Sequence, residues 1–401
     1  MNIYQLSPEQ KDTLCQGFQN TFGVQPDRFF SAPGRTELSG NHTDHQHGRV
    51  LAGAVNLDML AAVRKNGTRT IQVLSQGYPM CRVELSRLEP VPSEINSTPA
   101  LIRGVAARFA QLGCSVEGFD VYMTSTVLPG SGLSSSAAFE VLMGTIINHL
   151  FFDSKATQPE IAIIGQYAEN VFFGKPSGLM DQMASAVGGM VTIDFADPQN
   201  PVIEPIRFDF ATCGHALCII NTHAGHENLT DEYAAIPREL KKICAHFGKS
   251  VLREVDEDAF YAALPTLRQT CGDRAVMRAL HFFRENARVP KQVAALKQGD
   301  FDTYLQLMKE SGYSSWLYLQ NVIVSGSTLE QPVAVALALC DRYLQGRGGF
   351  RVHGGGFAGT VQAFVPTDLL ESFRTGIDGV LGEGSCHVLS IRDAGGVEIA
   401  L

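Results

Sequence analysis

Leu128–Ala138 reads L-P-G-S-G-L-S-S-S-A-A. Its glycines let the backbone approach a ligand closely, and its serines supply hydroxyls. It runs straight into a helical pattern over Ala137–Leu150. The first N–H groups of a helix lack intrahelical partners and its dipole is positive at that end. The stretch therefore has the makings of a phosphate cradle without a lysine. A Ser/Gly loop with an ordinary N-cap is the plain alternative, and this stretch alone does not separate the two.

The common nucleotide motifs are absent. A Walker loop fails because Ile243 stands where Gly248-Lys249-Ser250 requires a leading glycine. Gly354, Gly356 and Gly359 have Rossmann spacing, but the residues that follow, TVQAFV, read as a strand and not a helix.

Outward from the loop, strands and helices mix without regular βαβ alternation, which predicts an α+β fold. Val50–Val63 reads as one long strand or a strand pair, and Thr70–Leu74 with Cys81–Leu85 as a hairpin. Thr98-Pro99 opens a helix as N-cap and first residue, Phe119–Met123 is a strand, and Thr157 starts a helix that Gly174 ends. Met190–Phe195 and Ala216–Asn221 read as strands. Thr230–Phe247, Arg274–Lys297, Phe301–Glu310 and Thr328–Leu344 read as helices, with a kink at Pro237. Gly349–His353, Thr360–Val365 and Val388–Ile391 read as strands. The expected division is residues 1–198 and 199–401, joined near Asp197–Pro201.

The chain has 401 residues, 45% hydrophobic and 18% charged, enough to build a sizeable core and too apolar for intrinsic disorder. With 32 basic and 41 acidic residues the net charge is −9, and no dense Lys/Arg run occurs, which disfavours a nucleic-acid binder. Nine scattered cysteines without CxxC spacing read as reduced thiols. No signal-peptide pattern opens the sequence, and no apolar run reaches the ~18–20 residues a bilayer needs. The expectation is a cytoplasmic protein, a monomer by default.

Two further segments concentrate functional residue types. Ser31–Gly48 reads SAPGRTELSGNHTDHQHG. Its His42, Asp44, His45 and His47 admit a metal site or an exposed polar loop, and the loop is the better reading. Arg35, in an apparent A-P-G-R turn, is suited to face a transferring phosphoryl group. Ala168–Met183 reads AENVFFGKPSGLMDQM, where Asp181 after the G-L-M turn is either a base or an N-cap.

The order of these segments, with Arg351–Gly359 (RVHGGGFAG) and Asp273–Val289 (DRAVMRALHFFRENARV) behind them, resembles the GHMP small-molecule kinases, and within them the galactokinase family. The resemblance spans about residues 29–365. It implies a mixed N-terminal sheet with helices, a ferredoxin-like C-terminal domain, and an active site in the cleft between them. It also implies an ATP- and Mg²⁺-dependent sugar-1-kinase acting on galactose. By the same resemblance Arg35 and Asp181 are catalytic, and Asn41, His42, Asp44, Gly178 and Tyr233 contact the sugar. Gly130, Ser131, Gly132, Leu133, Ser134, Ser135 and Ser136 cradle phosphate, and Ser136 and Glu169 face the metal.

The chain departs from the family pattern at several positions. Asn41 replaces the usual Glu before His-Thr-Asp, His45 the usual Tyr after it, Thr36-Glu37 the usual Val-Asn, and Ala358 a Gly; Pro129 sits one place late. An amide donates where a carboxylate only accepts. Asn41 is thus expected to alter sugar preference at a position distal to the reacting carbon. Kinases for galacturonate, N-acetylgalactosamine or arabinose, and a sugar- and ATP-binding regulator without turnover, are the alternatives.

Overall fold

The computed structural model describes residues 4–127, 132–224 and 229–400. Its helices are α1 (Pro8–Phe22), α2 (Thr98–Gln111), α3 (Ser135–Phe151), α4 (Gln158–Tyr167), α5 (Met180–Val187), α6 (Thr230–His246), α7 (Glu257–Ala262), α8 (Leu264–Cys271), α9 (Asp273–Lys297), α10 (Phe301–Ser314), α11 (Pro332–Leu344) and α12 (Leu370–Leu381). The strands are β1 (Arg28–Ser39), β2 (Arg49–Lys65), β3 (Thr70–Ser75), β4 (Cys81–Glu84), β5 (Phe119–Ser125), β6 (Met190–Asp194), β7 (Val202–Ile206), β8 (His215–Asn221), β9 (Gly349–His353), β10 (Thr360–Pro366), β11 (Cys386–Leu389) and β12 (Val397–Ile399).

Two sheets organise the chain, an α+β architecture with mixed pairing. The larger runs β12-β1-β2-β5-β3-β4, and β6 and β7 extend it beside the first half of β2. Only β3 and β5 run parallel; the other pairs are antiparallel. β2 is one strand long enough to hold β1 on one side and both β5 and β6 on the other. The smaller sheet, β11-β8-β10-β9, is wholly antiparallel and carries α11 and α12 against it. A cut at 198/199 does not separate the sheets. β7 and β12 come from beyond it and pair into the larger one.

Ser31–Gly48 is not the turn and exposed loop the polar sequence suggests. Residues 28–39 form β1, and all but Arg28 are buried. Pro33 has no N–H for the ladder, and the register shifts between Pro33 and Arg35 and again between Glu37 and Ser39. Those bulges break the strict alternation that would have marked the strand.

α3 is the central helix. It packs against β1, β2, α2, α4 and α5, and Leu142, Ile146 and Ile147 are fully buried, each contributing about 1.5–3 kcal/mol by leaving water. It starts at Ser135, two residues before the apolar pattern does. α4 opens on a reciprocal capping box between Thr157 and Glu160. It passes without a break into a π-helical stretch, Ala168–Phe173, which Gly174 closes at φ +89°. Ser97 rather than Thr98 caps α2, and α11 begins only at Pro332. Among the described residues no helix is long and apolar enough to cross a membrane.

Candidate active site

The bulge in β1 presents Arg35 to two partners far along the chain. Its Nε and Nη2 donate to Asp181 Oδ1 and Oδ2, each at 2.7 Å, a bidentate pair. Nη1 donates to the Gly132 carbonyl, and the Arg35 N–H to that of Leu133 at 3.0 Å. Asp181 lies in the first turn of α5, whose N-cap is Leu179, so it does not cap the helix. Burial alone would raise the Asp181 carboxyl, but the Arg35 charge and hydrogen bonds, with one from Ser134, hold it below the usual carboxylate range. Burial works against the Arg35 charge, and Asp181 reverses that and raises its pKa. The Arg35 side chain is 7% exposed and that of Asp181 29%, so the carboxylate is the member of the pair open to a ligand.

Gly132 shows why the loop ends as it does. Its φ is +69°, and a Cβ there would meet Thr360 Oγ1 at 2.3 Å and His353 Nδ1 at 3.0 Å. Gly132 is thereby seated against His353 and Thr360. Ser134 takes the N-cap place of α3 at φ +57° and makes no side-chain cap bond, in contrast to the capping boxes of α1 and α4. The leading N–H groups of α3 thus take no cap from the Ser134 side chain, the kind of helix end that can receive an anion. Leu133 is buried, and Ser135 and Ser136 form the first turn. Gly130 and Ser131 lie outside the described residues.

Ser136 Oγ donates to Glu169 Oε1 at 3.2 Å, and Lys175 Nζ donates to the same oxygen at 3.0 Å. Gln182 Nε2 bridges Glu169 Oε2 and Glu140 Oε2, both at 2.9 Å. Burial, then the neighbouring Glu169 charge, holds the Glu140 carboxyl well above its usual range. A hydroxyl beside a carboxylate is a hard-oxygen set that suits Mg²⁺. Among the described residues no group of three or more His, Cys, Asp or Glu could hold a metal unaided. Such an ion would therefore lean on phosphate oxygens and water.

Three of the sugar candidates, Asn41, His42 and Tyr233, bond to one carbonyl-lined loop. His42 Nε2 donates to the Gly355 carbonyl at 3.0 Å, and Tyr233 Oη to that of Gly356 at 2.9 Å. Burial and nearby His45 push the His42 pKa down to about 3, so the ring is neutral with Nδ1 as an acceptor. Asp44 Oδ1 accepts from the His45 N–H at 2.9 Å, and a Cβ on Gly178 would strike Asp44 Oδ2 at 1.7 Å. Only glycine lets the 178 backbone pass there. Asp44 also acts electrostatically on Arg35, which links this cluster to the pair.

The model for the galactokinase galactose-binding signature matches residues 16–65, and that for the GHMP kinases N terminal domain matches residues 100–189. A galactokinase of Streptomyces coelicolor is 32% identical over 356 residues, covering 88% of each chain. One of Actinobacillus pleuropneumoniae is 32% identical over 372 residues, covering 92% of each. The chain belongs to the galactokinase family. It is a GHMP-class kinase, a phosphotransferase, and kinases of this class use ATP. The fold agrees: Lactococcus lactis galactokinase complexed with galactose superposes with a TM-score of 0.82 at 24% identity, covering 96% of this chain and 99% of that one. A mevalonate kinase superposes with a TM-score of 0.64 at 14% identity, covering 92% and 100%.

One expectation for this family member does not fit its geometry. Asn41 is fully buried, and its amide is already engaged. Nδ2 donates to Glu37 Oε1 at 3.0 Å and to the Gly354 carbonyl at 2.7 Å. Oδ1 accepts from Ser315 Oγ at 3.1 Å and Asn321 Nδ2 at 2.9 Å. A side chain so committed is not presented to a sugar hydroxyl. Residue type and spacing alone do not assign Lys175, Gln182, Glu140 or His353 to the site. Gln182 was legible as the third letter of M-D-Q, and His353 as a member of the RVHGGG motif. Glu140, inside an apolar helix pattern, gave no signal.

Proposed function

We propose that this chain transfers the γ-phosphoryl group of ATP to the C1 hydroxyl of galactose. The observation that carries the reading is the bidentate Arg35–Asp181 pair held against the carbonyl of Gly132. It sets a base and a phosphoryl-facing cation at the mouth of an uncapped helix N-terminus.

The α3 N–H groups and the Ser134–Ser136 hydroxyls bind the phosphates. Ser136 and Glu169 would hold Mg²⁺, which neutralises charge on the β- and γ-phosphate oxygens when bound. Asp181 accepts the hydrogen bond of the C1 hydroxyl and aligns its oxygen with the γ-phosphorus. As the C1 oxygen–phosphorus bond forms and the bond to the leaving ADP oxygen breaks, the proton passes to Asp181. A carboxylate held ionised by a guanidinium is a weak base, which suits a loose transition state in which positioning counts most. Arg35 faces the charge on the transferring group. His42, Asp44, Gly178 and Tyr233 hold the rest of the sugar. The nine free thiols fit a reducing cytoplasm, and we take the monomer as the working state.

Coupled ADP release over a panel of galactose, galacturonate, N-acetylgalactosamine and arabinose, with MgATP, tests this. Galactose-dependent release supports it. Preference for another sugar replaces the substrate, and sugar binding without ADP release replaces the activity with a regulatory one.

A further inference from the structure

Glu37 stands two residues beyond Arg35 on β1, is 2% exposed, and holds the fully buried Arg351 guanidinium from β9 by a salt bridge. The same carboxylate accepts both contacts of the Asn41 amide, at 3.0 and 3.2 Å. Asn41 then reaches the Gly354 carbonyl, the start of the loop whose next two carbonyls accept from His42 and Tyr233. The remaining faces of Asn41 are held as well. Ser315, Asn321 and His281 all bond to it, and Asn321 Nδ2 also donates to the Gly355 carbonyl at 3.2 Å.

The charges and hydrogen bonds point in one direction. Arg351 ties the smaller sheet to β1 through Glu37. Asn41 converts that tie into a fixed place for the Gly354–Gly356 loop. His42 and Tyr233 hang on the loop. We propose that Glu37, Asn41 and Arg351 form a positioning clamp that sets sugar affinity without touching the sugar or the reacting atoms. The clamp rests on the sugar-kinase reading given above. It assigns to the departures at 37 and 41 a joint role, since the acid and the amide there are bonded to each other.

The test uses near-isosteric variants of the full-length protein, because deleting Glu37 outright would leave Arg351 buried without a counter-charge. Asn41→Asp cannot donate to Gly354 and sets a second carboxylate against Glu37. The expected result is a rise of about tenfold or more in sugar KM, with kcat and ATP KM within about threefold of wild type. Adding Glu37→Gln removes the like-charge contact and leaves the cluster around Arg351 with one carboxylate, now at position 41, but does not restore the missing donor. The double variant is therefore expected to recover part of the loss, by about threefold or more, and not all of it. Ser315→Ala brings no new charge, and is expected to raise sugar KM by about threefold should Asn41→Asp fail to fold.

Sugar KM unmoved in a folded variant, or kcat falling and ATP KM rising together with the sugar KM, overturns the clamp. So does a double variant at least as impaired as Asn41→Asp. Wild-type protein without sugar-dependent ADP release sinks the activity itself, whereas normal wild-type turnover with an insensitive sugar KM sinks the clamp alone.

Discussion

At the scale of single residues, the site is a set of charges whose states are fixed by neighbours. Asp181 is held low by Arg35, so its contribution to stability is present above its ordinary 3.8 and is lost as pH falls through the lower folded value. Turnover therefore gains no acid limb from Asp181 above 3.8. Asp181→Asn and Arg35→Ala are each expected to cut kcat by about 10²–10⁴ while circular dichroism stays native; near-wild-type kcat in both would remove them from the chemistry. Two buried histidines lose stability in the same direction, from neutral rings rather than a charged group. His281 and His353 are driven below 6.5, chiefly by burial. Below 6.5 the unfolded chain binds protons that the folded chain refuses. Stability is thus full above 6.5 and falls as pH drops, by up to about 1.4 kcal/mol per pH unit for each. A melting temperature that is flat from pH 7 to 5 would contradict this.

At the scale of elements, glycines and caps decide where side chains stand. Gly132 and Gly178 separate the two ends of the site. Gly132→Ala meets both a left-handed backbone and Thr360, and should raise ATP KM or lower kcat. Gly178→Ala drives into Asp44 and should raise sugar KM with ATP KM unchanged. Steady-state kinetics with each substrate varied in turn distinguishes these outcomes. Thr157→Ala removes the cap of the helix leading to Glu169, and calorimetry should show a loss of about 1 kcal/mol. These features were largely readable in advance. The hairpin of β3 and β4, the start of α4 and the stop at Gly174 fell within a residue or two of their expected places, because caps and turns are local chemistry. β1 was hidden because its proline, glycine and bulges erase alternation. β12 was hidden because three residues carry no period.

At the scale of the whole molecule, one edge of the larger sheet is β12, which pairs with the strand that bears Arg35 and Glu37. The Mg²⁺ proposed above would have no structural part, since among the described residues no group of three or more His, Cys, Asp or Glu could hold a metal ion. Chelation should stop turnover yet leave the melting temperature of the nucleotide-free protein unchanged. A large fall on adding EDTA alone would reveal a structural ion. On the proposed function the −9 charge has a local answer: an acidic chain would bind the anion where Arg35, Lys175 and a helix end without a side-chain cap stand near Gly132 and Ser136.

By itself the sequence determined the chemistry available: an arginine and an aspartate in recognisable settings, a glycine-serine loop opening a helix, and no basic surface. Those follow from residue type and spacing over a few positions. Only the tertiary structure decided which groups meet. Arg35 and Asp181 are 146 positions apart, and Glu37 and Arg351 314 apart. It also turned Asn41 from an expected sugar contact into a buried tie. The physical reason is that a buried polar group must find partners wherever the fold brings them, and no spacing along the chain encodes who those partners are.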